Sequence, residues 1–192
     1  TAMANVTVSI VPVNDAPTAN DDNASLDEGS SVIINVGGND SDPDSDVNSL
    51  IYTVVTSPAH GSVINNNDGT FSYIHDGSET TNDSFTYVAS DGELNSANAT
   101  VSLSISPVND APVFVSASSF SQDENTTSGT KVYTVLASDQ ENETVSWSIS
   151  DATGTFSIDS NSGELTVSNN STLDFESIAS LNITLTVTDA SA

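Results

Sequence analysis

A hexapeptide that occurs twice limits what this chain can fold into more than any other feature. The sequence Pro-Val-Asn-Asp-Ala-Pro begins at residue 12 and again at residue 107, an offset of 95 residues. The preceding segments also match, since Val6 and Val8 correspond to Val101 and Leu103. This period exceeds the roughly 20–45 residues of a solenoid repeat and is typical of an array of whole domains. The sequence therefore predicts tandem domains.

Within each copy, short segments alternate apolar residues with Ser or Thr, the period of a half-buried strand. In the first copy this pattern predicts strands over Ser31–Val36, Leu50–Thr56, Ser62–Ile64, Thr70–Ile74, Ser84–Ser90 and Ala99–Ile105. In the second copy it predicts strands over Val113–Ala117, Lys131–Ala137, Val145–Ile149, Phe156–Ile158, Leu165–Ser168 and Ile183–Thr188. Asp68-Gly69 and Ser162-Gly163 mark hairpin turns. We therefore predict an all-β chain of two tandem immunoglobulin-like β-sandwiches.

The repeat also predicts where the domains divide. Residues 1–15 correspond to the terminal strand and linker of a preceding repeat, with Asn5–Val11 as that strand. Residues 16–110 form the first sandwich, and residues 111–192 form a second that has not reached its last strand. An unpaired sheet edge can accept a strand from another chain. We therefore expect head-to-tail self-association, in which residues 5–11 of one molecule fill the open edge of the next.

The charge of the chain excludes two classes of partner. There are 27 Asp and Glu residues against 1 Lys or Arg, which gives a net charge of −26. Binding to phosphate groups of nucleic acid needs Lys and Arg, and so does binding to an anionic membrane. No cysteine is present, which excludes disulfides and thiolate metal sites. Acidic residues that are grouped where strands end, without His or Cys, favour calcium, which takes 6–8 oxygen ligands.

The second copy resembles a cadherin repeat. Five motifs follow in order: Asp123-Glu124-Asn125, Ala137-Ser138-Asp139-Gln140-Glu141, Phe156-Ser157-Ile158-Asp159 with Ser162-Gly163, Leu173-Asp174-Phe175-Glu176 and Thr188-Asp189-Ala190. They match the Glu-Asn, Asp-x-Asp, Phe-x-Ile-Asp-x-x-x-Gly, Leu-Asp-x-Glu and x-Asp-x signatures of that family. The resemblance covers about residues 112–192.

The first copy is similar to the cadherin-like tandem repeats of large bacterial surface proteins. It contains Asp27-Glu28-Gly29 and the sequence Phe-Thr-Tyr-Val-Ala-Ser-Asp-Gly over residues 85–92, but no Leu-Asp-x-Glu motif. In both linkers the family's Asp-x-Asn-Asp-Asn is replaced by Pro-Val-Asn-Asp-Ala. That replacement removes two oxygen ligands and implies fewer bound ions.

The resemblance implies calcium between successive domains. At the central junction it assigns as ligands Glu28, Asn109, Asp110, Asp139, Glu141 and Asp189. Half of an earlier junction would comprise Asn14, Asp15, Asp40, Asp42 and Asp91, and half of a later one Glu124, Asp174 and Glu176. Other acidic residues are interpreted as surface charge, among them Asp44, Asp46 and Glu143. We place Trp147 in the core, and His60 and His75 in turns or at the surface.

These observations predict a calcium-binding, calcium-rigidified spacer and adhesion module of a large secreted or cell-surface protein from a bacterium, without enzymatic activity. Its partners would be neighbouring repeats of the same protein and a cell-surface protein or polysaccharide, in homophilic or heterophilic adhesion. The alternative is a carbohydrate-binding module attached to a polysaccharide-degrading enzyme, which an exposed row of aromatic residues would favour. Two carboxylates could also hydrolyse a glycoside, but no loop long enough to form a pocket is evident.

Overall fold

The structure is a computed structural model that describes residues 3–191. The described residues form fourteen strands and three short 3₁₀ turns, at Val36–Gly38, Val47–Ser49 and Asn170–Thr172. The chain divides into two compact units, of which the first ends at Val108 and the second begins at Asn109. Each unit contains more than one sheet, which confirms the prediction of an all-β fold in tandem sandwiches.

The first unit is a sandwich of two sheets. Its strands are β1 Asp22–Asp27, β2 Ser31–Asn35, β3 Ile51–Thr56, β4 Gly61–Asn65, β5 Thr70–His75, β6 Asn82–Ser90 and β7 Ala99–Ser106. One sheet has the order β1-β7-β6-β3, and the other has the order β2-β5-β4. All pairs are antiparallel except β1 with β7, in which Asp22 lies opposite Val101. Where successive strands run antiparallel, the loops between them alternate between the two ends of the sandwich, so every second loop lies at the same end.

Strand β1 was not among the strands that the sequence predicted. Its six residues, Asp-Asn-Ala-Ser-Leu-Asp, contain one large apolar side chain, Leu26, so the alternating pattern is weak. The strand forms because β7 offers a parallel edge along its whole length. Pairing with a neighbour, and not local propensity, determines this strand.

Aromatic side chains fill the first sandwich. Phe71 and Tyr73 from one sheet, and Phe85 and Tyr87 from the other, are at most 1% exposed. The ring centroid of Phe71 lies 5.7 Å from that of Phe85 and 5.9 Å from that of Tyr87. These are edge-to-face contacts, which add about 0.5–1.5 kcal/mol each beyond the burial of area.

The second unit has shorter strands. They are β8 Val113–Phe114, β9 Lys131–Thr134, β10 Ala137–Ser138, β11 Ser146–Ser150, β12 Phe156–Ile158, β13 Glu164–Val167 and β14 Thr184–Thr188. A three-stranded sheet has the order β12-β13-β9, and two pairs, β11-β14 and β10-β8, complete the unit. Among the described residues, β14 pairs on one side only, with β11.

The core of the second unit is smaller. It is built on Phe156, Leu165 and Val167, which are at most 8% exposed. Trp147 on β11 is 6% exposed and its ring contacts Phe114 at 5.7 Å, so it lies in the core as predicted. A buried indole cannot serve as a platform on which a sugar stacks.

The predicted hairpin turns are present. Gly69, between β4 and β5, has φ of +84°, and Gly163, between β12 and β13, has φ of +67°. A Cβ on Gly163 would also lie 2.5 Å from the carbonyl oxygen of Val135, so only glycine fits there.

One predicted strand is not formed. Residues 3–16 contain no strand, and Val6, Val8 and Ile10, which were expected to form one, are between 79% and 92% exposed. A strand needs a neighbour to bond its N–H and C=O groups, and none pairs with these residues in the structure. Over residues 3–191, no helix is both long and apolar enough to cross a bilayer.

A buried carboxylate joins β6 to the loop before β4. Asp83 is 9% exposed and accepts hydrogen bonds from the backbone N–H groups of Ala59, His60 and Ser84 and from the hydroxyl of Tyr73, at 2.8–3.0 Å. Burial alone would raise the pKa of Asp83. The hydrogen bonds outweigh burial and hold its pKa below the usual value.

We predict that Asp83→Ala destabilises the first unit by about 3 kcal/mol at pH 7, because it leaves buried donors without an acceptor. The stability that Asp83 contributes is present above the pKa of an unfolded Asp and is lost as the pH falls through its lowered folded pKa. The difference between wild type and variant should therefore shrink below about pH 4. Urea unfolding in the presence of a chelator measures it. A Glu93→Ala control, which removes an exposed carboxylate, should leave the free energy of unfolding unchanged.

Candidate metal centres

In the second unit, the linker and the ends of two strands place oxygen atoms together. The side-chain amide of Asn109 donates to Oδ2 of Asp189 at 3.2 Å, and Asp189 directly follows β14. The backbone N–H of Asp110 donates to Oε1 of Glu141 at 2.7 Å, in the loop after β10. With Asp139 from that loop, these residues form the linker set of the second unit: Asn109, Asp110, Asp139, Glu141 and Asp189.

Two oxygens of this set are buried without any hydrogen-bond partner. They are Oδ2 of Asp139 and Oε2 of Glu141. The other oxygen of each carboxylate is bonded, Oδ1 of Asp139 by the N–H of Glu143 at 2.9 Å and Oε1 of Glu141 by Asp110. Burying a polar atom without a partner costs about 1–3 kcal/mol. A cation bound next to either atom would satisfy it, so the chemistry of the residues present fits a metal ion.

The first unit repeats these contacts. The side-chain amide of Asn14 donates to Oδ2 of Asp91 at 2.8 Å, and the N–H of Asp15 donates to Oδ2 of Asp44 at 2.7 Å. Oδ1 of Asp42 accepts from Asp44 and from Ser45, while its Oδ2 is buried and has no partner. We name the linker set of the first unit by this correspondence: Asn14, Asp15, Asp42, Asp44 and Asp91.

Asp44 therefore accepts a hydrogen bond from the linker backbone as Glu141 does in the second unit, although the sequence assigned Asp44 to surface charge. The signal that could have found it is local. Ser41-Asp42-Pro43-Asp44 and Ser138-Asp139-Gln140-Glu141 have the same Ser-Asp-x-acid pattern. Asp40, which the sequence placed among the ligands, is 8% exposed and accepts instead from the N–H of Asn20 at 2.8 Å and the hydroxyl of Tyr87 at 3.1 Å.

Glu143, also assigned to surface charge, accepts a hydrogen bond from the hydroxyl of Ser191 at 3.0 Å. This contact links the loop after β10 to the segment that follows Asp189. It places Glu143 beside the linker set of the second unit.

The opposite end of the second unit carries a second group of carboxylates. Glu124, Asp174 and Glu176 each offer an oxygen, and these oxygens lie within 4.8 Å of one another. The N–H of Phe175 donates to Oε2 of Glu124 at 3.2 Å, and the hydroxyl of Ser177 donates to Asp174 at 2.6 Å. The structure thus brings together all three residues predicted for this position, which we call the distal set of the second unit.

The first unit has a smaller counterpart. Oxygens of Glu28, after β1, and Glu79, before β6, lie within 4.8 Å of each other. Oε2 of Glu28 also accepts from the N–H of Val108 at 3.3 Å. The sequence missed Glu79 because the first copy lacks a Leu-Asp-x-Glu motif. We call Glu28 and Glu79 the distal set of the first unit.

Family profiles match both units. The profile of the bacterial cadherin-like domain matches residues 14–107, and that of the cadherin domain matches residues 118–192. The chain belongs to the cadherin-like family as a tandem pair of repeats. The resemblance of the second copy to a cadherin repeat and of the first to bacterial cadherin-like repeats is thereby confirmed.

Solved cadherin fragments have the same fold. Mouse Cadherin-23 EC22-24 is 25% identical with a TM-score of 0.53 and is matched by 86% of this chain over 57% of its own length. Human CDH23 EC21-23 is 23% identical with a TM-score of 0.56, and the match covers 87% of this chain and 58% of that fragment. Human Protocadherin-24 EC1-2 is 19% identical with a TM-score of 0.53, and the match covers 91% of this chain and 94% of that fragment. This chain spans less than two thirds of the first two fragments. A comparison with curated proteins gives no match.

Hydrogen bonds keep several carboxylates of the two repeats ionised. The N–H groups of Leu94 and Glu93 and the amide of Asn14 lower the pKa of Asp91. The hydroxyl of Ser177 and the backbone of Glu176 lower the pKa of Asp174. Calcium binds the ionised form of a carboxylate, so these contacts favour binding.

The pKa values of Asp22 and Asp40 are shifted in the opposite direction, upwards. Both accept from the single hydroxyl of Tyr87, at 3.0 and 3.1 Å, together with the carbonyl of Asn20 at 2.9 Å. Burial raises the pKa of Asp22 and of Asp40, and the nearby charge of Asp40 raises that of Asp22 further. One hydroxyl proton cannot satisfy all of these acceptors, so the ionised pair opposes folding.

We predict that Asp22→Asn stabilises the first repeat at neutral pH and raises its melting temperature by about a few degrees. The wild-type carboxyl, with its raised folded pKa, favours the fold below its unfolded pKa and loses that effect as the pH rises. The gain from the variant should therefore be present at pH 7 and absent near pH 3. Circular dichroism melting measures it with a chelator present. Asp21→Asn makes the same charge change beside it, and an equal gain there would mean that only net charge matters.

Proposed function

We propose that the two repeats form a calcium-binding, calcium-rigidified spacer and adhesion module of a large secreted or cell-surface protein, of bacterial origin. Repeats of this family are typically calcium-dependent adhesion or spacer modules and are generally not enzymes. The observation that carries the proposal is the recurrence of one set of contacts in both linkers: Asn to Asp and backbone N–H to carboxylate, beside an unpartnered buried carboxylate oxygen.

The chemistry of the donors favours calcium over other metals. Every member of the linker and distal sets offers a carboxylate or amide oxygen, and none is a Cys or a His. Hard oxygen donors suit Ca²⁺ or Mg²⁺, whereas Zn²⁺ prefers nitrogen and sulfur. Mg²⁺ retains most of its water and is seldom held by a cage of protein ligands, which leaves Ca²⁺ as the favoured ion.

The proposed ligands are those expected from the sequence with two changes. Asp44 is included because its contact with Asp15 matches that of Glu141, and Asp40 is left out because Asn20 and Tyr87 donate to its oxygens. Glu79 joins Glu28. The complete set is Asn14, Asp15, Asp42, Asp44, Asp91, Glu28, Glu79, Asn109, Asp110, Asp139, Glu141, Asp189, Glu124, Asp174 and Glu176.

Charge explains why calcium would stiffen such a chain. Two unit charges 4 Å apart repel by about 1 kcal/mol in water and by more where the dielectric constant is lower. Carboxylates grouped around a linker therefore push its surroundings apart until a cation is bound. The chain has a net charge of −26 and only one Lys or Arg, so its own side chains cannot neutralise these carboxylates. Neighbouring repeats of the same protein are the partners that such stiffening would serve.

We predict that calcium raises the melting temperature and that Asp139→Ala reduces this rise. Extracellular modules bind calcium with Kd of about 10⁻⁴–10⁻³ M, and binding at 100 times Kd adds about 2.7 kcal/mol per site. Calorimetric titration and melting curves with calcium and with chelator measure both effects. Asp68→Ala, in the β4–β5 hairpin of the first unit and not a member of any of the four sets, is the control. Equal melting curves with and without calcium would contradict the proposal.

We also predict that calcium narrows the distribution of distances between the two repeats. Small-angle scattering with calcium and then with chelator measures the maximum dimension and the flexibility of the chain. Magnesium at the same concentration controls for screening by divalent salt. A distance distribution that is unchanged by chelation would show that calcium does not rigidify this chain.

A further inference from the structure

A buried histidine in the first repeat has contacts that the sequence did not predict. His75 is the last residue of β5 and is 4% exposed, although the sequence placed it in a turn or at the surface. Nδ1 of its imidazole accepts from the backbone N–H of Gly29 at 3.1 Å and of Gly77 at 3.3 Å. Since Nδ1 is an acceptor, Nε2 carries the hydrogen of the neutral ring and donates to the hydroxyl of Thr80 at 3.0 Å.

Each of the two segments that the imidazole bridges carries a carboxylate of the distal set. Glu28 directly precedes Gly29, and Glu79 directly precedes Thr80. We propose that His75 is a positioning residue that holds Glu28 and Glu79 at the spacing needed to bind calcium. This inference rests on the proposed function, because it presupposes that the distal set binds the ion.

The second repeat shows what this contact replaces. Gly29 and Asn125 occupy corresponding positions, directly after Glu28 and Glu124, and both have positive φ, +63° and +59°. The N–H of Asn125 donates to the carbonyl of Leu173 at 2.9 Å, which joins it directly to the segment that carries Asp174. In the first repeat the N–H of Gly29 donates instead to His75. The imidazole therefore stands where the second repeat has a backbone carbonyl.

Repulsion between the carboxylates of Glu28 and Glu79 opposes their close approach, and a tie between their segments offsets it. Oxygens of Glu28 and Glu79 lie within 4.8 Å of each other, and neither segment belongs to a strand. Two unit charges at about this distance repel by roughly 1 kcal/mol even in water. The backbone N–H of His75 also donates to the carbonyl of Ser30 at 3.0 Å, and the contacts of the imidazole add to this tie between the two segments. Residues that orient metal ligands from behind typically change metal affinity by about 10–100-fold when they are replaced.

The test compares two replacements of His75 in the full chain. His75→Phe keeps a ring of similar size but has no acceptor for Gly29, whereas the carbonyl oxygen of His75→Asn can take the place of Nδ1. Isothermal titration with CaCl₂ measures the affinities, and melting in chelator measures the stability of the calcium-free fold. Glu28→Gln identifies which binding step belongs to the distal set.

We expect His75→Phe to weaken that same step by at least about tenfold, and His75→Asn to recover most of the loss. Thr80→Val removes the bond to Nε2 and a longer contact of 3.5 Å with the hydroxyl of Ser78. It should weaken that step by a smaller factor, and it keeps the test valid if His75→Phe does not fold. Wild-type affinity in both Phe and Val variants would overturn the inference. If His75→Phe and His75→Asn weaken calcium binding equally, in proportion to the stability that each loses in chelator, His75 has a structural role only. A wild-type chain that takes up no calcium would instead refute the proposed function.

Discussion

Repulsion among carboxylates that have almost no cationic partners is the constraint on which the organisation of this protein depends. The chain has 27 acidic side chains and one cationic one, Lys131, which pairs with Glu164. The long strands of the first repeat present Ser, Thr and Asn to solvent, and most carboxylates lie in loops where strands end. Charge is thereby concentrated at the ends of each repeat. A divalent cation bound there would remove the repulsion and use the same groups as ligands.

The two repeats reach similar arrangements of carboxylate and amide groups with different surrounding structure. Asn14 and Asn109 each bond the carboxylate that directly follows a strand, Asp91 after β6 and Asp189 after β14. The distal sets differ more, because the second repeat holds Glu124 through the backbone of its neighbouring loop, whereas the first uses His75. The linker geometry is thus tied to the repeated hexapeptide, and the distal geometry is adapted to each repeat.

Periodicity predicted most of the fold, and it failed where local sequence carries little signal. The strands with clear alternation, such as β6 and β7, form where they were expected, with small differences at their ends. Strand β1 has one large apolar residue and forms because β7 pairs with it. The reverse holds for Asn5–Val11, where a strong alternating pattern forms no strand in the structure, since pairing requires a second strand.

By itself the sequence determined the repeat, the all-β class, the supply of acidic side chains without cysteine and the position of the repeated hexapeptide, because these follow from composition and periodicity. It could not determine every group of carboxylates that meets, although Glu124, Asp174 and Glu176 lie together as expected. Asp40 and Asp44 are both acidic residues of one loop, but only the fold buries the first against Tyr87 and turns the second towards Asp15. Likewise, Glu79 is far from Glu28 along the chain, and His75 resembles an ordinary surface residue in sequence. Such contacts depend on which strand ends share one end of a sandwich, and that is decided by strand pairing between distant segments.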